Sequence, residues 1–354
     1  MDTAKPQQPV RPTLPRRDLD ALRAFAKVQH CCFTWDQALR CGWSHRCARD
    51  AINRRWWKVL YRGVYVDRDV WAGLDAAGKH RCRVAAKLLL KGPEWVAARE
   101  SAAVFHGLPL LGKIPDEPRL LRDYAGTRAN GGSGDERVAT LPPSDIVVVA
   151  GVRVTSLART VLDLAAEHEF RHGVVVADAA LRRGLDQGEL LALAEAHARW
   201  PGNAQALRVA RFADGLSESV LESISRAPLL DLGIAVPELQ LQVWFDGVMI
   251  ARVDQCWRQV NTIGQADGAL KYKGLSVDAA LARVRADKRQ DETLESVGFE
   301  VVRWGWEQAW EPTLMGDRLR RGFVRGAAQS LDPRVRLVPT TLAQSVAWAS
   351  RYAE

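Results

Sequence analysis

Residues 33–66 read FTWDQALRCGWSHRCARDAINRRWWKVLYRGVYV, and this stretch determines the predicted fold of the first part of the chain. Thr34 precedes a short amphipathic segment as a helix N-cap would, and Gly42 follows that segment as a helix stop. Ser44 then precedes a second segment whose apolar residues recur at helical spacing. The remaining residues alternate apolar and polar around Arg62-Gly63, which is typical of a β-hairpin. The stretch therefore predicts two short helices followed by a hairpin.

A further helix is predicted just upstream, because apolar residues recur at helical spacing in RDLDALRAFAKVQH, residues 17–30. Three short helices closed by a hairpin make a winged helix-turn-helix, whose third helix enters the major groove of DNA. Between Ser44 and Arg62 the chain carries six basic residues and one acid, a local net charge of +5. We therefore predict DNA contacts by Arg46, Arg49, Asn53, Arg54 and Arg55 at the groove and by Lys58 and Arg62 at the phosphates. The alternative is a solvated basic helix on a winged helix that binds protein.

Composition narrows the classes of protein to which the chain can belong. It has 354 residues, 47% of them hydrophobic, and a formal net charge of +8, which favours a polyanionic partner. No run of about 18 apolar residues occurs, so no membrane partner is expected. The first 17 residues lack the apolar segment of a secretory signal and are predicted to be a flexible lead, and a cytoplasmic location is expected. The six cysteines lack structural-zinc spacing and are expected to stay reduced as small core-filling thiols.

The stretch at residues 33–66 resembles the N-terminal winged helix of AbiEi-type antitoxins, the transcriptional-repressor component of type IV toxin–antitoxin systems. That family has a T-x-x-Q-A-L helix, a basic second helix and then W-x-x-L-x-R-G-V-Y. The matching residues are Thr34, Gln37, Ala38, Leu39, Trp57, Leu60, Arg62, Gly63, Val64 and Tyr65. The resemblance covers about residues 18–70 and implies binding to double-stranded operator DNA. It leaves open whether a cognate toxin exists as a partner.

The middle of the chain is predicted to be a central α/β segment. Helices are expected on both sides of Gly92-Pro93, the second running from about Glu94 to Gly107. After a glycine-rich surface loop, a strand is followed by a helix that Thr155 or Ser156 would cap. The segments S-A-A-x-x-H-G-L-P and V-T-S-L-A-R-T-V-L-D-L-A resemble the part that follows the winged helix in AbiEi-like proteins. His106 is interpreted as structural, because no nucleophile or acid lies near it in sequence.

The last part of the chain predicts a mixed sheet flanked by helices. SESVLESISRAPLLDLG begins at Ser217 and predicts a helix with that serine as its N-cap. Asp246-Gly247 joins two strands as a hairpin turn would. A third strand, a long helix ending at Gly298 and a fourth strand, FEVVRWGW, follow. The predicted order is α-β-β-β-α-β.

That order and its residues resemble the PD-(D/E)xK nuclease superfamily, and more narrowly the Vsr-like endonuclease-related domain of actinobacterial AbiEi-like proteins. The family has S-x-x-E in the first helix, R-V-D-x-x-W on the second strand and G-E-x-D-G-x-x-K-Y on the third. K-R-x-D followed by a leucine and a glycine on the next helix and V-V-R-W on the last strand complete the pattern. The matching residues are Ser219, Glu222, Arg252, Val253, Asp254, Trp257, Gly264, Asp267, Gly268, Lys271, Tyr272, Lys288, Arg289, Asp291, Leu294 and Gly298. The match covers residues 217–306 almost throughout.

Such a site hydrolyses phosphodiesters with Mg²⁺, which lowers the pKa of the attacking water and polarises the phosphate. This hard cation takes oxygen ligands, usually with two or more carboxylates among them. The resemblance implies Asp254 as the central ligand, position 265 as the second and Glu222 as the third. It also implies that Lys271 or Lys288 orients the water or balances the phosphate charge.

Gln265 departs from this pattern, because its amide offers a carbonyl oxygen but no negative charge. Asp267 shares a strand face with Gln265 and is expected to be the alternative source of that charge, or Glu222 takes a larger share of the coordination. Three interpretations stay open. The domain is an active Mg²⁺-dependent DNA endonuclease of a phage-defence or repair type, a retained fold with impaired cleavage, or a fold with an unrelated role.

The predicted fold class is α+β multidomain, with an N-terminal winged helix-turn-helix, a central α/β segment and a C-terminal αβββαβ restriction-endonuclease-like domain. The predicted parts are a flexible lead at 1–17, the winged helix at 18–70, the central domain at 71–214, the nuclease-fold domain at 215–325 and a helical tail at 326–354. The favoured function is a DNA-binding, antitoxin-like transcriptional regulator that carries an impaired endonuclease fold. The alternative is an endonuclease that the winged helix delivers to DNA.

Overall fold

The computed structural model describes residues 16–123, 135–267 and 276–351, and the chain divides between Thr160 and Val161 into two compact units. The described residues contain fifteen α-helices and three sheets, and each unit combines helices with sheet. The predicted mixed α+β organisation is therefore confirmed. The boundary between the units lies inside the predicted central domain, and the finer domain limits stay predictions. None of the described helices is long and apolar enough to cross a membrane.

The first half of unit one contains the predicted three helices and hairpin. The capping prediction is confirmed at Thr34, whose hydroxyl accepts from the amide of Gln37, and at Ser44, whose hydroxyl accepts from Cys47. The hairpin turns at Gly63, which has a φ of +90°. The elements are α1 Arg16–Val28, β1 Cys32–Thr34, α2 Trp35–Arg40, α3 His45–Asn53, β2 Trp57–Tyr61, β3 Val64–Asp67, α4 Arg68–Gly73 and α5 Ala76–Lys91.

The small sheet of this half has the order β1-β3-β2 and is covered on both faces. Phe33, Trp57 and Tyr65 pack with the three helices α1–α3 into one apolar cluster. Val64 and Val66 pack on the other face against Cys82 and the rest of the apolar side of α5. The hairpin is therefore held between the helices and α5, which fixes the exposed residues of β2 relative to both.

The second half of unit one differs from the prediction after Gly92-Pro93. The structure has a short strand at Trp95–Ala97 before the helix, because these residues hydrogen-bond to strands far along the chain. Ser156 is the residue that caps the later helix, since its hydroxyl accepts from the amide of Arg159. The elements are β4 Trp95–Ala97, α6 Arg99–His106, β5 Leu120–Asp123, β6 Glu136–Ala139, β7 Ile146–Val149, β8 Val152–Thr155 and α7 Leu157–Glu167, with the sheet order β6-β5-β4-β8-β7.

Unit two begins with helices and continues into the predicted α-β-β-β-α-β order. The helix cap is Ser219, not the predicted Ser217, whose hydroxyl bonds instead to the hydroxyl of Ser223 at 2.9 Å. A fully buried ion pair joins Asp178 to Arg226. The elements up to the last predicted strand are α8 Phe170–Arg182, α9 Gln187–Ala196, α10 Asn203–Phe212, α11 Val220–Arg226, β9 Glu238–Phe245, β10 Val248–Trp257, β11 Thr262–Ala266, α12 Val277–Ser296 and β12 Glu300–Trp304.

The sheet of unit two has the order β12-β11-β10-β9-β13, in which β11 and β12 run parallel and the other neighbours antiparallel. Leu241, Val253, Ile263 and Leu294 belong to the buried apolar cluster of this sheet. Gly264 in β11 allows the indole of Trp304 to pack closely against the backbone, because a Cβ at this position would collide with that ring. The glycine is therefore required by packing.

The predicted helical tail also contains a strand. Val335–Val338 adds to the free edge of β9 as β13, so the tail completes the sheet. Ser345 in the last helix hydrogen-bonds Glu218, and Trp348 lies 5.1 Å from the guanidinium of Arg252. The closing elements are α13 Trp306–Trp310, α14 Pro312–Ala327, β13 Val335–Val338 and α15 Leu342–Arg351.

Candidate functional site

The first candidate site is the outer face of α3. Arg46, Arg49 and Asn53 are exposed and follow each other at intervals of three and four residues, so they share one face of the helix. Ala48 and Ala51 are fully buried on the opposite face, where they pack into the apolar cluster. The small alanines bring this helix close to its neighbours and leave the longer polar side chains in solvent.

The basic residues that follow α3 are exposed as well. Arg54, Arg55, Lys58 and Arg62 lie on the helix end and the hairpin, and Arg54 stacks on the indole of Trp56 at 5.4 Å. Within the described parts of the chain, no carboxylate forms an ion pair with these four residues or with the arginines of α3. This surface is therefore rich in cations whose charge is not neutralised by the protein itself.

The second candidate site surrounds Asp254 on β10. One of its carboxylate oxygens accepts a hydrogen bond from the backbone amide of Ala266, at 2.9 Å. Gln255 pairs with Gly264 across the antiparallel strands, and continuing this register by one pair sets Asp254 opposite Gln265. Gln265 is buried, with 7% of its surface exposed. The structure thus brings the central predicted ligand and the departing amide together on neighbouring strands.

Glu222 on α11 lies near Asp254 and is fully engaged by donors. Its carboxylate accepts from the hydroxyl of Ser219, the backbone amide of Glu218 and the side-chain amide of Gln240. Burial, followed by the charge of Asp254, nevertheless raises the pKa of Glu222 to about 8. Without a bound cation, this carboxyl therefore favours the protonated form at neutral pH.

Asp267, the predicted alternative ligand, is held by an arginine. Its carboxylate accepts from Arg303 of β12 at 2.7 Å, and the same guanidinium binds Asp291 of α12 through two further hydrogen bonds, of 2.6 and 2.8 Å. These hydrogen bonds and charges outweigh burial and raise the pKa of Arg303 further above its ordinary value. The guanidinium supplies the positive charge beside Asp267 and ties β12 to α12.

The residues in their present arrangement do not fit a magnesium centre. Residue 265 is an amide, and Asp267 is paired with Arg303. In the described ranges no three His, Cys, Asp or Glu side chains are grouped to hold a metal ion. Lys288 is highly exposed and lies 3.7 Å from Glu292, while the predicted catalytic Lys271 lies outside the described residues.

His106 lies in the position expected of a structural histidine. Its ring nitrogen Nε2 is 2.8 Å from the carbonyl oxygen of Thr155, and burial lowers its pKa. The ring therefore joins α6 to the end of β8 as a hydrogen-bonded, half-buried group.

The raised pKa of Glu222 predicts how the free energy of unfolding depends on pH. Below its ordinary value of 4.5 the carboxyl is protonated in both the folded and unfolded chain, so it contributes nothing to pH dependence. As the pH rises from 4.5 towards 8, the unfolded chain releases the proton first, so the free energy of unfolding falls. We expect Glu222→Gln to remove this fall, which amounts to at most about 1.4 kcal/mol per pH unit.

The measurement is urea denaturation of both proteins at pH 5, 7 and 9. The free energy of unfolding of Glu222→Gln should rise relative to the native protein as the pH rises. Parallel profiles would show that Glu222 is already ionised at pH 5 in the folded chain.

Comparison with known proteins places the chain beside uncharacterized relatives. Two proteins of Mycobacterium tuberculosis, one from strain CDC 1551 / Oshkosh and one from strain H37Rv, are each 27% identical to it over 241 residues. The similarity covers 66% of this chain and 83% of each relative. No known family model matches the chain. Because both relatives are uncharacterized, the similarity brings no activity to this protein.

Proposed function

We propose that the protein binds double-stranded DNA through α3 and the β2–β3 hairpin and acts as an antitoxin-like transcriptional regulator. The observation that carries this proposal is the exposed face of Arg46, Arg49 and Asn53, surrounded by cations that no described carboxylate neutralises. Arginine and asparagine side chains are the usual readers of guanine and adenine edges in the major groove. The neighbouring cations of the hairpin bind phosphates in this proposal.

The connectivity of the first half of unit one supports a winged helix-turn-helix. The order α1-β1-α2-α3-β2-β3, with the sheet order β1-β3-β2, provides a helix followed directly by a hairpin. In DNA-binding proteins of this kind the helix lies in the major groove and the hairpin contacts the backbone. The resemblance to AbiEi-type antitoxins is the sole basis for including a cognate toxin in this proposal.

In the same proposal, the αβββαβ part of unit two is a nuclease-type fold that does not cleave DNA. This is supported by the amide of Gln265 and by the ion pair of Asp267 with Arg303. A Mg²⁺-dependent nuclease holds its cation largely through ionised carboxylates, so each carboxylate that is replaced or paired elsewhere weakens the binding of that cation. The fold would then serve as a scaffold for the chain's other contacts.

The second candidate function is a Mg²⁺-dependent DNA endonuclease. It is favoured by one observation, the closeness of Asp254 and Glu222 on the adjacent elements β10 and α11. Metal dependence separates the two functions. A regulator binds DNA in EDTA and leaves it intact when Mg²⁺ or Mn²⁺ is added, whereas an endonuclease cleaves the DNA once either metal is added.

The proposed function is tested with duplexes selected by the native protein from a random 40-bp pool in EDTA. We expect Arg49→Ala to weaken binding to the selected duplex by about 1–3 kcal/mol, or roughly 5- to 150-fold, because one base contact is lost. The matched control is Arg23→Ala on α1, another exposed arginine of the same unit, which should bind as the native protein does. Equal losses in both variants, or no enrichment by the native protein, would contradict the proposed interface.

A further inference from the structure

Three cations gather around the indole ring of Trp71, beside the hairpin. Lys58 of β2 lies 5.3 Å from the ring centroid, Arg83 of α5 lies at 5.1 Å and Lys79 of α5 lies at 6.0 Å. Each distance lies within the range of a cation–π interaction. The three positive charges repel one another, and the face of one ring offsets only part of this repulsion.

The packing of the hairpin places these cations on one rigid surface. Trp71 packs against the apolar cluster that joins Val64 and Val66 of β3 to Cys82 of α5. Lys58 pairs with Val66 across the hairpin, so its side chain projects on the same face of the sheet as this cluster. Lys79 and Arg83 therefore lie beside a hairpin cation already assigned to phosphate, although they belong to the segment after the predicted winged helix.

The basic ridge of α5 divides into two halves with different charge environments. Lys79, Arg83, Lys87 and Lys91 follow each other at intervals of four residues. In the second half, Lys87 lies 3.2 Å from Glu136 and Lys91 lies 2.7 Å from the same carboxylate. Lys87 also lies 3.7 Å from Glu117, so two carboxylates neutralise these two lysines.

The first half of the ridge lacks such neutralisation. Arg83 lies 3.7 Å from Asp116, but that carboxylate is also bound by Lys113 at 2.6 Å. Across the described residues, neither Lys58 nor Lys79 forms an ion pair with a carboxylate. The cluster around Trp71 thus carries an excess of positive charge that a bound polyanion would neutralise.

We propose that Lys58, Lys79 and Arg83, gathered around Trp71, form a second phosphate-binding site for the backbone of duplex DNA. This inference rests on the proposed function, and it extends the interface from the hairpin onto α5. The indole ring holds the charged groups of these three side chains in place, so less side-chain entropy is lost when a phosphate binds. The site adds affinity without reading base sequence.

The test compares the salt dependence of duplex binding for the full chain, Lys79→Ala and Lys91→Ala. The selected 40-bp duplex is titrated in EDTA at several salt concentrations between 50 and 200 mM. Each phosphate neutralised by the protein contributes about 0.9 to the slope of log K against log salt. We expect Lys79→Ala to lower the slope by about that amount and to retain the preference for the selected duplex over a scrambled one.

Lys91→Ala is the matched control, because Lys91 lies on the same ridge and over an indole ring, that of Trp95, but is paired with Glu136. Its slope should equal that of the native protein. If Lys79→Ala and the native protein share one slope while Arg49→Ala still weakens binding, the second site is refuted and the proposed function stands. If the native protein binds no duplex, the proposed function itself fails.

Discussion

Replacing Gln265 with glutamate is expected to lower the free energy of unfolding by about 2–4 kcal/mol in EDTA, and Mn²⁺ is expected to restore part of that loss. Residue 265 is buried on β11 opposite Asp254, and Asp254 in turn lies near Glu222. A third carboxyl here loses hydration and meets like charge, and each unit by which its pKa rises costs about 1.4 kcal/mol at neutral pH. A divalent cation would neutralise the three groups and shift the equilibrium towards the folded chain.

The measurement is urea denaturation of native protein and Gln265→Glu in EDTA and in 5 mM Mn²⁺. Adding Asp254→Asn to Gln265→Glu is the matched control, because it restores the original number of carboxylates at the same strands. That double variant should lose most of the response to Mn²⁺. The native protein should show no response, and it should leave plasmid DNA intact with Mg²⁺ or Mn²⁺.

The opposite results have separate meanings. If Mn²⁺ stabilises the native protein and DNA cleavage depends on Asp254, the chain is an endonuclease and its noncatalytic interpretation is wrong. If Gln265→Glu is destabilised but does not respond to Mn²⁺, then Asp254, Glu222 and residue 265 do not converge on one cation. In that case the positive charge at this end of the sheet is that of Arg303, which forms ion pairs with Asp267 and Asp291.

Local chemistry allowed several elements of the fold to be predicted from the sequence. Thr34 and Ser44 cap their helices through contacts three residues away, and Asp246-Gly247 forms its hairpin turn with the immediate neighbours. Such interactions lie within one short window of sequence and need no knowledge of the rest of the chain. Ser217 was the exception, because two serines two residues apart offer the same cap and tertiary packing selects Ser219.

Long-range pairing explains what the sequence did not reveal. Trp95–Ala97 is a strand only because β5 and β8, which lie much farther along the chain, hydrogen-bond to it. Val335–Val338 is likewise a strand because it joins the edge of β9. At the candidate metal site, Arg303 was visible as part of the V-V-R-W pattern. Its partners Asp267 and Asp291 are separated from it by 36 and 12 residues, so the ion pairs could not be read from spacing.

Replacing Arg226 with methionine is expected to lower the free energy of unfolding by about 3–5 kcal/mol. Arg226 and Asp178 are each 1% exposed, and their side chains form hydrogen bonds of 3.0 and 3.1 Å. The guanidinium also lies 4.6 Å from the ring of Phe212. Without it, the carboxylate of Asp178 stays buried with the backbone amide of Asp214 as a remaining donor, and burial already raises its pKa.

The control is Arg208→Met, because Arg208 also pairs with a carboxylate, that of Asp231 at 2.5 Å, and also lies over an aromatic ring. That pair is solvent-exposed, so the expected loss is at most about 1 kcal/mol. Adding Asp178→Asn to Arg226→Met removes the unpaired charge and should recover part of the loss. The loss of free energy of unfolding in Arg226→Met should also shrink at low pH. The pKa of Asp178 is raised in the folded chain, so the carboxyl takes up a proton as the pH falls and no longer places an unpaired charge in the core. Equal losses for Arg226→Met and Arg208→Met would show that burial does not set the strength of this ion pair.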